Sequence, residues 1–303
     1  MKKIYISGIS GLLGGNLAYL LRNKYSIIGS ARTEINIPQV SSSKMDILDE
    51  NRLRLHIESF NPDVIIHTAA LVNVDFCEEH EEEAYLANAI LTKKISDICH
   101  EKNIMLIYIS TDSVFDGTML SLYNEQDNTN PLNIYAKTKL EGEHYVSQLP
   151  NSTLIRTNIY GYNIQNKQSI GEWMLNALLE GQTLNLFEDI FFSPILVNEL
   201  TTIIDLIIEQ KVFGLYHICS TGAISKYEFG IKLKEIFNIE TGIINRSNSH
   251  KSNLRAIRPK NMGMDNTQIR KKLNIDITSP IQGLERFKEL YNTQYPSMLK
   301  NFI

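Results

Sequence analysis

The run Ser7-Gly8-Ile9-Ser10-Gly11-Leu12-Leu13-Gly14 constrains this chain more than any other stretch. It follows a β-branched segment, Ile4 to Ser7, and leads into helical spacing of Leu13, Leu17, Leu20 and Leu21. Three glycines between a strand and a helix meet three separate needs. Gly8 makes the tight turn out of the strand. Gly11 has no Cβ, so a diphosphate can approach the backbone. Gly14 lets the helix pack close to the sheet. The helix start, with Ser10, Leu12 and Leu13, then offers free N–H groups and the positive end of the dipole to the diphosphate. The motif predicts a dinucleotide site on a parallel sheet.

The rest of the first half agrees with that expectation. Strand-like runs at Tyr25–Ala31, Val64–Thr68, Ile104–Ser110 and Thr153–Arg156 alternate with helical patterns at Leu48–Phe60, Glu78–Glu101 and Pro131–Leu149. This βαβα order predicts an α/β fold, a Rossmann-type doubly wound parallel sheet with helices on both faces. Beyond Gly161 the pattern loosens into helices at Ser169–Glu180, Val197–Gln210, Ser225–Phe237, Asn266–Leu273 and Pro280–Tyr291, with a strand at Leu215–Ile218. Ser225 and Glu228 have the spacing of a capping box. A length of 303 residues suits about two units. Residues 1–160 with part of 188–220 are expected to form the dinucleotide-binding domain. Residues 161–187 and 221–303 are expected to form a smaller α/β substrate-binding lobe.

Composition removes several classes of function. With 43% hydrophobic and 21% charged residues the chain is an ordinary globular one. A net charge of −4 gives no general attraction to phosphate backbones, so no nucleic-acid partner is expected. No apolar run approaches the roughly 18 residues of a membrane span, and the cytoplasm is the expected compartment. Cys77, Cys99 and Cys219 are odd in number and far apart, which suits reduced thiols. The acidic run Glu78-Glu79-His80-Glu81-Glu82-Glu83 reads as a helix start favoured by the dipole, and no metal is expected.

Two further stretches carry chemistry. The second strand ends Gly29-Ser30-Ala31-Arg32-Thr33, where NAD enzymes often place an acid. Arg32 there suits a 2′-phosphate, so NADPH is the expected cofactor, with NADH as the alternative. Tyr135 and Lys139 stand one helical turn apart, on one face. An ammonium beside a phenol favours its ionised form, so Lys139 is expected to lower the Tyr135 value toward neutrality. Tyr135 would then exchange a proton with a carbonyl or alcohol oxygen, and Lys139 would also hold the nicotinamide ribose.

The G-x-x-G-x-x-G spacing resembles the extended short-chain dehydrogenase/reductase superfamily. Within it, Ser110-Thr111-Asp112-Ser113-Val114-Phe115-Asp116-Gly117 resembles the S-T-D-x-V-F-D-G string of the dTDP-4-dehydrorhamnose reductase family. Val74-Asp75 with Cys77-Glu78, then Ala84 and Asn88, are similar to its V-D-x-C-E…A…N stretch. Tyr135 to Glu143 looks like its Y-x-K-T-K-x-x-G-E block, and Arg258-Pro259, Asn261 and Asp265 look like its late R-P-x-N-x-x-x-D segment. The likeness spans almost the whole chain and is strongest over residues 4–161.

The resemblance implies a reductase of a 4-keto group on a nucleotide-diphosphate-linked deoxysugar, serving polysaccharide or glycoconjugate synthesis. It implies Thr111, Tyr135 and Lys139 as the catalytic set, with Thr111 bonding the reacting oxygen. It places Asp46 and Ile47 at the adenine, and Ala69, Ala70 and Leu71 along the pyrophosphate and ribose. Ser110, Asp112, Asn158, Tyr160 and Arg258 become the sugar-side candidates, and a homodimer is the superfamily habit. Two departures stand out. Ser113 replaces a usual Tyr, and Arg156-Thr157-Asn158-Ile159-Tyr160-Gly161 is one residue shorter than R-T-x-W-V-Y-G and lacks its Trp. A nucleotide-sugar 4-epimerase stays open, as does a non-catalytic NADP-binding regulatory subunit resembling that of methionine adenosyltransferase.

Overall fold

Runs of Ile, Val and Leu with few polar residues form strands that are buried on both faces. In the computed structural model, which describes residues 1–251 and 254–303, they assemble a seven-stranded parallel sheet. Its strands are β1 (Lys3–Ser7), β2 (Ser26–Ala31), β3 (Val40–Lys44), β4 (Val64–His67), β5 (Met105–Thr111), β6 (Ser152–Thr157) and a last strand, Gly214–His217. The spatial order is Gly214–His217, β6, β5, β4, β1, β2, β3. The chain winds outward from β1 through β2 and β3, then returns to β4 on the other side of β1. The carboxyl ends of β1 and β4 therefore flank the switch point, where open α/β sheets bind ligands.

Alternation along the strands feeds two cores. Ile4, Ile6, Ile66 and Ile107 join the core under α1 (Leu12–Leu21) and, later in the chain, the helix Val197–Gln210. Tyr5, Ile65, Leu106 and Tyr108 join the opposite core, which Leu53 and Ile57 of α2 (Glu50–Phe60) complete. A third cluster, with Tyr160, Met174, Phe192, Phe229 and Phe287, forms the interior of the lobe beside the sheet. Ile269, Leu273 and Ile277, late in the chain, pack instead into the sheet-side core. The Ser225/Glu228 capping box is formed, with the Glu228 N–H donating to Ser225 Oγ at 3.0 Å.

Two elements differ from the sequence expectation. The strand β3, Val40-Ser41-Ser42-Ser43-Lys44, was not expected, because an edge strand of serines shows no apolar alternation. The single helix expected over Glu78–Glu101 is divided into α3 (Val74–Glu79), α4 (Glu81–Tyr85), a π-turn (Leu86–Ile90) and α5 (Leu91–Lys102). His80 breaks it with φ −129° and ψ 61°. The π-turn holds Asn88, whose Oδ1 accepts from Leu71 N–H at 2.8 Å and whose Nδ2 donates to Thr138 Oγ1 at 3.0 Å. The fourth long helix, α6 (Ile134–Ser147), carries Thr138.

Buried polar groups tie these layers together. Glu143 of α6 and Arg156 of β6 form an ion pair at 2.7 Å, with side chains only 6% and 5% exposed. Ser110 Oγ donates to Glu143 Oε1 at 2.5 Å, so β5 joins the pair. A second set crosses the sheet ends. The Thr92 hydroxyl donates to Asn88 O at 2.6 Å, so it accepts from His67 Nε2 at 3.1 Å. The Ser7 hydroxyl then donates to His67 Nδ1 at 2.6 Å. Burial pushes the imidazole down to about 3, and the charge on Lys139 acts in the same direction.

Two predictions follow from these buried groups. Glu143→Leu leaves Arg156 buried and unpaired, and urea denaturation should register a loss of about 3–5 kcal/mol. A loss within the range of an exposed pair, about 0–1 kcal/mol, contradicts it. For His67, the unfolded chain binds a proton between pH 6.5 and 3 that the folded chain does not. The unfolded state thus holds more protons in that window, and stability falls as pH drops through it. His217, also pushed down to about 3 by burial and by Arg156, adds to the fall. His67→Gln should remove about 2 kcal/mol of the stability lost between about pH 7 and pH 5. An unchanged pH slope in that variant refutes the assignment.

Candidate active site

The turn after β1 has the geometry its glycines predict. Gly8 has φ +77°, and a Cβ there would meet the Ala69 backbone at 2.8 Å. A Cβ on Gly14 would drive into the Gly8 carbonyl. Gly11 caps α1 with no side-chain hydrogen bond, so the first N–H groups of the helix, those of Leu12, Leu13 and Gly14, have no intrahelical acceptor. Such a cradle fits a diphosphate. The Leu13 side chain lies in the core and leaves only its N–H for the site. Ser10 is buried, and its hydroxyl accepts from Gln165 Nε2 at 2.8 Å.

The other cofactor-side candidates ring the same sheet end. Arg32 is exposed just beyond β2. Asp46 is exposed and Ile47 half-buried just beyond β3, and Asp46 Oδ1 accepts from Leu48 N–H at 3.0 Å. Ala69, Ala70 and Leu71 leave β4 half-buried across from Gly8. The Asn88 bonds fix Leu71 to α6, so the cofactor loop and the helix carrying Tyr135 are one unit.

Helix α6 is anchored where it begins. Asn133 Oδ1 accepts from Ala136 N–H at 2.9 Å, and Glu78 Oε2 accepts from Ile134 N–H at 3.0 Å. The acidic run thus supplies an anchor for the helix as well as a helix start. Tyr135 on the first turn lies beside Thr111 at the end of β5, close enough for the Thr111 hydroxyl to act on the phenol. Burial pushes the Tyr135 phenol well above its usual value, the Thr111 hydroxyl opposes this, and the Asp112 charge adds to it. Lys139 is 3% exposed with its ammonium 4.1 Å over the Tyr108 ring. Burial pushes it down to about 7, against the pull of Glu143.

The expected lowering of Tyr135 by Lys139 is therefore corrected. Lys139 is absent from the groups that shift Tyr135. Desolvation acts on the two groups in opposite senses, raising the phenol and lowering the ammonium.

The sugar-side candidates divide. Asp112 is 1% exposed, and its carboxylate accepts from Asn158 Nδ2 at 2.6 Å and from Thr111 Oγ1 at 3.1 Å. Asn158 and Asp112 thus stand together beside Thr111. Arg258 reaches the same region but pairs with Asp75 at 3.1 Å, while Arg255 pairs with Glu79. Two candidates are corrected. Ser110 points toward α6, on the same strand face as Tyr108, and spends its hydroxyl on Glu143. Tyr160 is 0% exposed, packed edge-on against Phe229 and Phe287 inside the lobe. A tyrosine followed by glycine after a strand reads equally as cleft or core, and here the aromatic cluster takes it.

Three residues of this region escaped the sequence reading. Glu143 was matched only as part of a string, and His67 only as the end of a strand. Lys226, the first residue of the helix Lys226–Phe237, sets its ammonium over the Phe192 ring within the electrostatic reach of Asp112. A lysine just inside a helix cap looks solvated in sequence, and only the tertiary fold turns it inward.

This geometry meets known proteins over nearly its full length. The family model described as the RmlD substrate binding domain matches residues 1–292. The spore coat polysaccharide biosynthesis protein SpsK of Bacillus subtilis is 30% identical, over 80% of this chain and 82% of its own. Methionine adenosyltransferase 2 subunit beta of Danio rerio is 29% identical, over 87% and 83%. The crystal structure of dTDP-4-dehydrorhamnose reductase from Bacillus anthracis in complex with NADP superposes with a TM-score of 0.86 at 28% identity, covering 95% of this chain and 99% of that one. A glycine cradle and a Thr–Tyr–Lys set at one switch point, within a match spanning residues 1–292, place this chain in the RmlD substrate binding domain family.

Proposed function

We propose that this chain is an NADPH-dependent reductase of a 4-keto group on a nucleotide-diphosphate-linked deoxysugar, supplying a sugar for polysaccharide or glycoconjugate synthesis. The observation that carries the reading is the Thr111–Tyr135 hydroxyl pair, next to the glycine cradle across the switch point. The relatives named for polysaccharide synthesis and for dehydrorhamnose reduction support the substrate class. The NADP in the Bacillus anthracis structure supports the cofactor. In this reading residues 1–160 with part of 188–220 hold the cofactor, and 161–187 with 221–303 hold the sugar.

The residues divide the work as follows. The cofactor, when bound, supplies hydride to the ketone carbon. Tyr135 enters the reaction with its proton in place, as a phenol does at neutral pH, and burial acts in the same sense. It gives that proton to the developing alkoxide. Thr111, whose single hydroxyl proton is on Asp112 in this structure, turns it to the same oxygen, where charge accumulates and a donor is worth most. Lys139, near neutrality in its buried seat, exchanges protons and orients the ribose beside Tyr135.

The likeness to methionine adenosyltransferase 2 subunit beta supports a second reading, a subunit that binds a catalytic partner. One assay separates the two. NADPH oxidation is followed over 4-keto-6-deoxy sugars on dTDP, UDP, GDP and CDP. Consumption with one of them supports the reductase, and none with any of them, alongside capture of a synthetase partner, supports the subunit. Tyr135→Phe should lower turnover by about 10²–10⁴ while NADPH binding persists, and full activity in that variant sinks the mechanism. Arg32→Ala should weaken NADPH relative to NADH, and an unchanged preference removes Arg32 from the 2′-phosphate site.

A further inference from the structure

Three short strands close the lobe against the end of β5. Phe191–Phe192 runs antiparallel to Ile224–Ser225 and parallel to Asn261–Met262. They bring Met262 to Ser113, whose hydroxyl lies 3.7 Å from the thioether, and Lys226 into the electrostatic reach of Asp112, beyond ion-pair distance. Lys226 is held by its backbone, with the N–H donating to Ile190 O at 3.0 Å. Its ammonium sits 4.0 Å over the Phe192 ring and, among the described residues, makes no hydrogen bond. A half-buried ammonium with no protein acceptor keeps its donors available to a ligand that displaces the water on them.

The charges around it define what that ligand is. Asp112 and Arg258 are the charged groups that act on Lys226. Arg258 is taken by Asp75. Asp112 is fixed by Asn158, Thr111 and Ser113, which donate at 2.6, 3.1 and 3.2 Å. Two cations are matched by two carboxylates, so the pocket holds no spare positive charge for an anionic substituent. It offers a fixed donor beside a fixed acceptor, the arrangement that reads a neutral hydroxyl. Ser113 and the shortened stretch that holds Asn158 are also where this chain departs from the strings it resembles.

We propose that Lys226 is a specificity-determining residue that donates to a hydroxyl of the sugar ring and holds it against Asp112, on the lobe side of Tyr135. The proposal rests on the reductase reading and deepens it by naming the lobe residue that positions the sugar.

Lys226→Met keeps the stem over Phe192 and removes the donors, and Lys226→Arg restores them. For the keto-sugar that the intact chain reduces, Lys226→Met should raise KM by about tenfold or more, as for the loss of a charged donor, with a smaller change in kcat. NADPH affinity should not change, and Lys226→Arg should recover most of the KM. An unchanged KM overturns the proposal, as does a uniform loss of KM, kcat and NADPH affinity together with thermal stability. If the intact chain turns over no 4-keto sugar, the reductase reading fails. Calorimetric titration with a dTDP-linked 6-deoxyhexose then decides Lys226 separately. Weaker binding in Lys226→Met supports the site, and equal or absent binding overturns it.

Discussion

Helix α6 carries both Tyr135 and Lys139, and a single buried ion pair seats it. Glu143 reaches Arg156 on β6 at 2.7 Å and takes the Ser110 hydroxyl of β5 at 2.5 Å. One carboxylate thus ties the helix to two neighbouring strands, one turn below Lys139. Buried pairs of this kind add little net stability against an apolar replacement, but removing one partner is expensive. What such a pair does supply here is direction. With Glu143 pinned, the face of α6 that bears Tyr135 is turned to the end of β5, where Thr111 meets it. Gly142 permits the approach, since a Cβ there would collide with the Tyr108 hydroxyl.

Much of this was readable in the sequence, and the exceptions share a cause. The strands β1, β2, β4, β5 and β6 and the helix α6 announce themselves by apolar periodicity, and the glycine motif by its place between a strand and a helix. Those are local signals. The edge strand β3 was hidden because its serines bury nothing. The division of the helix expected over Glu78–Glu101 was hidden because its cause is distant: Asn88 bonds the loop after β4 and a threonine on α6. The cofactor cradle and the Thr111–Tyr135 meeting followed from motif order. The misplacement of Ser110 and Tyr160 did not concern motif order at all. It turned on which face of a strand meets Glu143 and on which aromatic cluster closes the lobe.

The electrostatics of the site also depend on burial that no motif carries. A Tyr–Lys pair one turn apart suggests a phenol brought down by a neighbouring charge. In the folded chain desolvation dominates instead, raising Tyr135 and bringing Lys139 to about 7. Reduction of a ketone needs an acid that arrives protonated, whereas oxidation of an alcohol needs a base that arrives ionised. A neutral phenol can be that acid, and Tyr135 keeps its proton at neutral pH, with burial acting in the same sense.

The overall charge of −4 conceals how this protein meets phosphorylated ligands. The cationic side chains near the cleft are mostly spoken for: Arg258 by Asp75, Arg255 by Glu79, Arg156 by Glu143. What remains for a diphosphate is the uncapped start of α1, a backbone charge that residue counting cannot register. Beyond β2, Arg32 is exposed, and the proposed reading gives it to a 2′-phosphate. Lys226 differs from both, being half-buried, balanced by Asp112 and set over a ring. A cation in that setting has little long-range pull on an anion, and its use is short-range and directional. In the proposed reading, phosphate recognition falls to the sheet and sugar recognition to the lobe, each with the kind of donor its ligand requires.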